Sequence, residues 1–295
     1  MRRLAARFRA VAGTGLVLAL LPASAHAGAW TKPPGEGWAA LSYERYRTTT
    51  KFDESGSKVD LALDGEFVKQ SLRLYTEIGV LDRVTAFGNF YYDFLSYGQS
   101  DLRFPLENSG FSDQEAGVRY GLFEQPIALA SQLSLHFPAG YDTDVPSPPA
   151  EQPPLLGTGE WGAEFRIAAG RGLGRDLTLG FVNAEVGYNT RWSGFADQLK
   201  LEVTIGYKRI PRTELNVVWN YTNTFGEVPS AGSQVQASNP LVFSIYDLHR
   251  LELRAVVRVW RWWHAQGAFF AHVAGSNVGA GSGVSLGVRG VWPEP

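Results

Sequence analysis

The side chains best equipped for chemistry are few. Four histidines follow residue 27: His136, His249, His264 and His272. Ser134 stands two positions before His136, and in a strand the two would share a face. A serine beside a general base is the minimum for a hydrolytic nucleophile, so a lipid-modifying hydrolase is one reading to carry forward. Asp142 and Asp144 supply two carboxylates, fewer oxygens than calcium takes and in no defined loop pattern. Gly170, Gly172 and Gly174 resemble a phosphate-binding turn only superficially. No helix follows them and the third glycine is out of place, so they read as turn glycines. The chain has no cysteine, which excludes a thiol nucleophile, a disulfide framework and a Cys-ligated metal. No cofactor and no metal site is expected.

What the sequence does carry is charge in strict alternation with apolar residues. From Gln198 to Tyr207, Leu199, Leu201, Val203, Ile205 and Tyr207 fall on one side, while Lys200, Glu202 and Thr204 fall on the other. Arg250 to Val259 repeats the pattern. Strand side chains alternate sides, so each segment has one greasy and one wettable face. Helical spacing is nowhere sustained. The alternation predicts twelve strands near 38–48, 66–78, 84–95, 113–123, 127–137, 160–170, 176–190, 198–209, 213–224, 247–260, 264–274 and 283–292. In the seventh the phase changes between Phe181 and Val182, which predicts a bulge there.

Connections at 79–83, 124–126, 171–175, 210–212 and 261–263 are short. Those at 49–65, 96–112, 138–159, 191–197, 225–246 and 275–282 are longer, and the two kinds alternate throughout. An even strand count with tight turns at one end and long loops at the other is the signature of an outer-membrane barrel. Strands of about 10 residues match a tilted bilayer crossing. No apolar run is long enough for a spanning helix, so closure is the way left to satisfy the backbone in hydrocarbon. The expected fold is all-β, a closed 12-stranded antiparallel transmembrane β-barrel over 38–292; a periplasmic β-sandwich or jelly roll is the rival. Trp38, Phe123, Trp260, Trp262, Trp263 and Trp292 at one end, and Tyr46, Phe94, Tyr97, Trp161, Tyr188, Trp192, Tyr221, Phe225 and Tyr246 at the other, read as the two aromatic girdles.

The wettable phase then lines the lumen. It holds nine cations, Arg73, Arg119, Arg166, Lys200, Lys208, Arg250, Arg254, Arg258 and Arg289. Nine anions accompany them: Glu44, Glu77, Asp93, Glu115, Glu164, Glu185, Glu202, Glu214 and Glu252. Two readings stand side by side: a structural ladder of paired charges, or a path for a polar solute along Arg250, Arg254 and Arg258. Twelve strands lie between the filled eight-stranded barrel and the aqueous channel of 16–18, so a narrow passage is expected. The longest loop, Pro138 to Gly159, carries Pro146, Pro148, Pro149, Pro153 and Pro154. It is open whether this loop covers the outer mouth or stands in solvent.

The first 27 residues read as an export signal. Arg2, Arg3, Arg7 and Arg9 form a basic head, an apolar stretch runs from Val11 to Leu21, and Ala25-His26-Ala27 supplies the small-x-small cleavage pattern. Cleavage would leave a short segment, 28–37, ahead of the barrel and 23 basic against 29 acidic side chains. That balance offers no basic surface for nucleic acid.

The run Gly28-Ala29-Trp30-Thr31-Lys32-Pro33-Pro34-Gly35-Glu36-Gly37-Trp38 leads straight into an aromatic strand. It resembles the opening of small Gram-negative outer-membrane barrels, in particular the transporters of the phenol-degradation meta-pathway type. That resemblance implies uptake of small, often hydrophobic, compounds across the outer membrane. Two features depart from related barrels: no long plug precedes the first strand, and Pro293-Glu294-Pro295 follow Trp292. The expected protein is a monomeric passive channel whose partners are outer-membrane lipid and a small-molecule solute, hydrophobic or aromatic ones included. The alternatives are a lipid-modifying hydrolase or a structural barrel with a blocked lumen.

Overall fold

The computed structural model describes residues 28–141, 153–174, 178–192, 196–226 and 245–293. The export signal, Asp142, Asp144, Pro146, Pro148, Pro149, Glu294 and Pro295 lie outside the described residues. The strands are β1 (Gly37–Thr48), β2 (Thr50–Phe52), β3 (Lys58–Asp60), β4 (Glu66–Leu81), β5 (Val84–Gly98), β6 (Leu106–Phe111), β7 (Asp113–Phe123) and β8 (Ala128–Pro138). They continue with β9 (Gly162–Leu173), β10 (Gly180–Arg191), β11 (Asp197–Tyr207), β12 (Thr213–Phe225), β13 (Asp247–Trp260), β14 (Trp263–Ser276), β15 (Val278–Gly279) and β16 (Ser282–Trp292).

Each long strand pairs antiparallel with its sequence neighbour, and β1 pairs with both β4 and β16, so the sheet closes on itself. β6 continues the line of β7, and together they form one wall strand beside β5. Twelve walls result, the expected number. Beyond the barrel, β15, β2 and β3 make a small separate sheet from the long-loop ends.

The sidedness is the reverse of a soluble protein's. Leu253 is 54% and Leu286 66% exposed, while Glu77, Asp93 and Glu164 are fully buried. The period of two puts every second residue on each face, so the apolar phase forms an outer belt and the charges meet inside. This is the fold of outer-membrane barrels, and a closed strand cylinder with short turns at one end and long loops at the other crosses the bacterial outer membrane.

Where β6 gives way to β7 the backbone ladder with β5 lapses, and a side chain fills the gap. The Gln114 amide accepts from Tyr91 N–H at 2.7 Å and donates to the carbonyls of Tyr91 and Ser112, at 2.9 and 2.6 Å. Buried backbone groups in hydrocarbon need such partners.

Two expectations need correction. There is no bulge at Phe181: β10 keeps an unbroken register with both β9 and β11 from Gly180 to Asn189. Phe181 simply points inward, where it meets the ring of Trp30 edge-on at 5.8 Å. The irregularities fall instead between Gly79 and Leu81, Gly121 and Phe123, His249 and Arg250, and Arg258 and Trp260. The girdle assignment fails for Trp38, Tyr46 and Tyr97, which are buried on the inner face, and for Tyr246, which lines an interior cavity. Phe94, Phe123, Trp161, Tyr188, Trp192, Phe225, Trp260 and Trp263 do face outward.

The belt makes a direct prediction. Leu253 faces outward midway along β13, between Val217 and Phe269. Leu253→Arg should cost roughly 2–4 kcal/mol of stability in a bilayer, read as a lower urea midpoint in lipid vesicles, whereas Leu253→Phe should leave the midpoint nearly unchanged.

Candidate functional site

The lumen is built in tiers, starting at the short-turn end. Residues 28–36 do not hang outside the barrel but run into this mouth. Ala29 N–H donates to Asn183 Oδ1 at 3.0 Å, Lys32 N–H to Thr85 Oγ1 at 2.7 Å, and Gly35 N–H to the Gly79 carbonyl at 2.8 Å. Two wall glycines are required by this path. A Cβ on Gly170 would lie 2.5 Å from the Trp30 indole, and one on Gly79 would lie 2.0 Å from the Pro33 carbonyl oxygen. Gly170 is therefore a strand residue making room for a ring, and only Gly174, with φ +79°, matches the turn role expected of that run.

Above this segment sits the most buried ion pair. Glu77 accepts from Arg119 Nη1 at 3.0 Å, Trp38 Nε1 at 3.0 Å and the Tyr75 hydroxyl at 2.7 Å. Arg119 also donates to Gln132. Arg289 is buried nearby over the Trp38 ring, 5.4 Å from its centroid. Trp38 on β1 and Arg119 on β7 donate to Glu77 on β4, and Gln132 on β8 accepts from Arg119, so the group ties these four strands together.

A central cavity of about 280 Å³ opens at mid-height. Arg73, Glu115, Arg119, Arg166, Glu185, Glu202, Glu252, Arg254 and Glu44 all line it, with Gly28 at its floor. Arg73 donates to Asn89 at 2.8 Å and lies between the rings of Tyr75 and Tyr91. Arg166 bridges Glu164 and Glu185, each at 2.7 Å, and Lys200 adds a third contact to Glu164 at 2.7 Å. Glu202 sits directly opposite Glu185 in the β10–β11 register.

The row Arg250, Arg254, Arg258 is not a free cationic ladder. Glu252 stands between the first two and binds both, at 3.1 Å and 2.7 Å, while Arg250 also reaches Glu44 at 3.2 Å. Arg258 is exposed at the short-turn rim. Lys208 pairs with Glu214 at 3.3 Å. The inner face is therefore largely the ladder of paired charges, with a cavity left inside it.

Towards the long loops the lumen becomes mixed. One cavity of about 390 Å³ is lined by Tyr46, Phe67, Leu95, Leu156 and Phe270, with Lys69, Arg250 and Glu44 below. Glu44 lines both this cavity and the central one. A second, of about 340 Å³, brings Asp113, His136, Glu160, Arg191 and Lys200 together with Tyr246, Leu248 and Val278. Leu156 belongs to the described end of the Pro-rich loop, and it packs into a cluster with Tyr46, Leu61, Phe67, Leu95, Tyr97 and Phe270. Thr158 N–H donates to Asp113 Oδ2 at 2.9 Å. This stretch of the loop folds over the mouth rather than standing in solvent.

Lys69 escaped the sequence reading although it shares parity with Arg73. It closes on Asp93 at 2.7 Å. Lys32 and Leu156 were also missed, because their roles depend on a segment and a loop that carry no alternation. Ser134 and His136 both face the lumen, not lipid, and Ser134 Oγ has no hydrogen-bond partner among the described residues. His136 lies 3.4 Å from Glu164 instead. The serine–base contact that nucleophile activation needs is not formed.

No protein-family model matches the chain, and no curated protein matches it in sequence. Solved structures do. An outer membrane channel from Pseudomonas putida F1 is similar, with a TM-score of 0.68 and 17% identity over 92% of this chain and 99% of that one. The β domain of the Bordetella autotransporter BrkA is similar at TM-score 0.52 and 11% identity, over 88% of this chain and 100% of that one. At these identities the likeness is one of fold.

Two outcomes test this arrangement. Glu77→Ala strands a buried guanidinium and should cost roughly 3–5 kcal/mol, whereas the double change Glu77→Gln with Arg119→Met should cost less; urea midpoints in vesicles compare them. Burial lowers the Lys32 ammonium to about 8 from 10.5, against the opposing pull of Glu77. The docked segment thus holds fewer protons than the undocked one between those values. Docking should tighten as pH rises through about 8, seen as slower proteolysis of residues 28–36 at pH 10 than at pH 7, and Lys32→Met should abolish the difference.

Proposed function

We propose that the barrel is a passive outer-membrane channel for small molecules, amphipathic and aromatic ones included. The observation that carries this reading is the central cavity, walled by Arg73, Arg254, Glu202 and Glu252 and sharing Glu44 with the apolar cavity above it. A solute would leave water among Tyr46, Phe67 and Phe270, which cover an apolar body. It would then meet guanidinium and carboxylate groups that replace part of the hydration of its polar end. Diffusion down a gradient needs no further machinery. The fold likeness to a bacterial outer membrane channel supports the reading, as does the resemblance of residues 28–38 to transporters of the phenol-degradation type.

A second reading, a structural barrel with a blocked lumen, is favoured by one feature. Residues 28–36 occupy the short-turn mouth, with Trp30 against Phe181. On the channel reading this segment shifts to let solute pass.

Flux separates the two. Proteoliposomes carrying the channel should swell in small sugars or aromatic acids and give conductance steps in planar bilayers; Arg254→Glu should move the reversal potential towards cations. No swelling and no steps, in a barrel that still shows heat-modifiable migration, would leave the blocked-lumen reading standing.

A further inference from the structure

The outer surface of the barrel is not uniform near its long-loop end. Between β5 and β12 this rim carries clusters of outward aromatic rings. Tyr92 meets Phe94 and Phe111, Phe137 stacks on Trp161 and Trp161 on Trp192, and Tyr188 meets Phe225. Along β1 and its neighbours the clusters stop. Above Tyr43 the outward residues of β1 are Arg45 and Arg47, flanked by Gln70, Val68 and Glu66 on β4 and by Val284 and Ser282 on β16. None of these is aromatic.

The height of the two arginines follows from strand geometry. From Gly37, the first residue of β1, to Arg47 the chain rises roughly 33 Å, or about 25 Å along the membrane normal at a tilt of about 40°. That is the height of an outer-membrane apolar belt, so Arg45 and Arg47 stand where the belt meets the outer-leaflet headgroups. Long loops mark this end as external.

Their charge is not balanced by protein. Arg47 grips Glu66 through Nε and Nη2, at 2.8 and 2.7 Å, and remains 58% exposed. Arg45 is exposed and makes no ion pair among the described residues. Two guanidinium groups therefore face the lipid against a single carboxylate. Both border a shallow outward groove of about 470 Å³ whose apolar side is formed by Phe269 and Val284. A guanidinium presents paired donors that fit phosphate oxygens, and the apolar side suits an acyl chain.

We infer that Arg45 and Arg47 form a binding site for the phosphate group of an outer-leaflet glycolipid. The lipid phosphate supplies the missing negative charge at a stretch of rim where β1 and its two flanking strands present no outward aromatic ring among the described residues. Its acyl chains lie along Phe269 and Val284. Glu66 fixes Arg47 in place and limits the net charge of the site.

The test uses the whole barrel in detergent micelles, with bound lipid counted by native mass spectrometry. The probes are bis-phosphorylated lipid A, the same lipid without phosphates, and inorganic phosphate. Wild type should bind the phosphorylated lipid, and Arg45→Gln with Arg47→Gln should weaken that binding about tenfold, in line with loss of charge-assisted contacts. Dephosphorylated lipid A should bind wild type no better than phosphorylated lipid binds the double variant. Glu66→Gln, which raises the net positive charge, should bind at least as tightly as wild type. Heat-modifiable migration confirms that each variant has closed its barrel, and solute flux should be unaltered. Equal binding by wild type and the double variant would overturn the site, as would weaker binding by Glu66→Gln. Displacement of the lipid by millimolar inorganic phosphate would show a free-anion site and overturn the lipid assignment.

Discussion

Everything in this chain answers to the absence of water in hydrocarbon. A backbone N–H or C=O facing acyl chains has no solvent partner, so each strand must be paired on both edges and the last must return to the first. The β1–β16 ladder, from Gly37 opposite Trp292 to Arg47 opposite Ser282, is that return. Once the ring is closed, the pleat assigns the sides without further choice. Leucine and valine meet lipid, and glutamate and arginine meet one another.

That inversion gives the lumen its character. Charges concentrated inside a narrow cylinder neutralise each other locally, some within one strand and others between strands. Arg166 spans β9 and β10, Lys200 on β11 reaches β9, and Arg250 on β13 reaches Glu44 on β1. Breaking such a pair costs more than replacing it, because the survivor is left buried and unpaired. The interior therefore holds the walls together while leaving room at mid-height. On the proposed channel reading, passage would depend on that remaining room and on the two stretches of chain that border it from below and above.

The wall was legible in the sequence because a period of two is a local signal. Strand positions and the parity of Arg73, Glu77, Glu164, Arg166, Lys200 and Glu252 needed only neighbours along the chain. Some of what was misread depended on partners far away, and some ran against the same local parity. Phe181 looked like a break in phase because an apolar residue on the wet side has no local reason; its reason is Trp30, more than a hundred residues earlier. Trp38, Tyr46 and Tyr97 have the residue type and location of girdle aromatics, yet parity puts them inside, against Glu77, His272 and Gln99. Lys69 was recoverable by the same parity that gave Arg73. Leu156 was not, since nothing in a proline-rich stretch announces which residue turns inward.

The stitch at Gln114 has a consequence for which variants the wall can accept. Its amide stands in for a missing peptide unit, taking one hydrogen and giving two. A glutamate of the same shape would turn bare oxygens towards two carbonyls, and an asparagine would fall one methylene short. Among the twenty side chains only glutamine has both the reach and the double polarity. Position 114 is therefore frozen by the needs of a neighbouring strand's backbone.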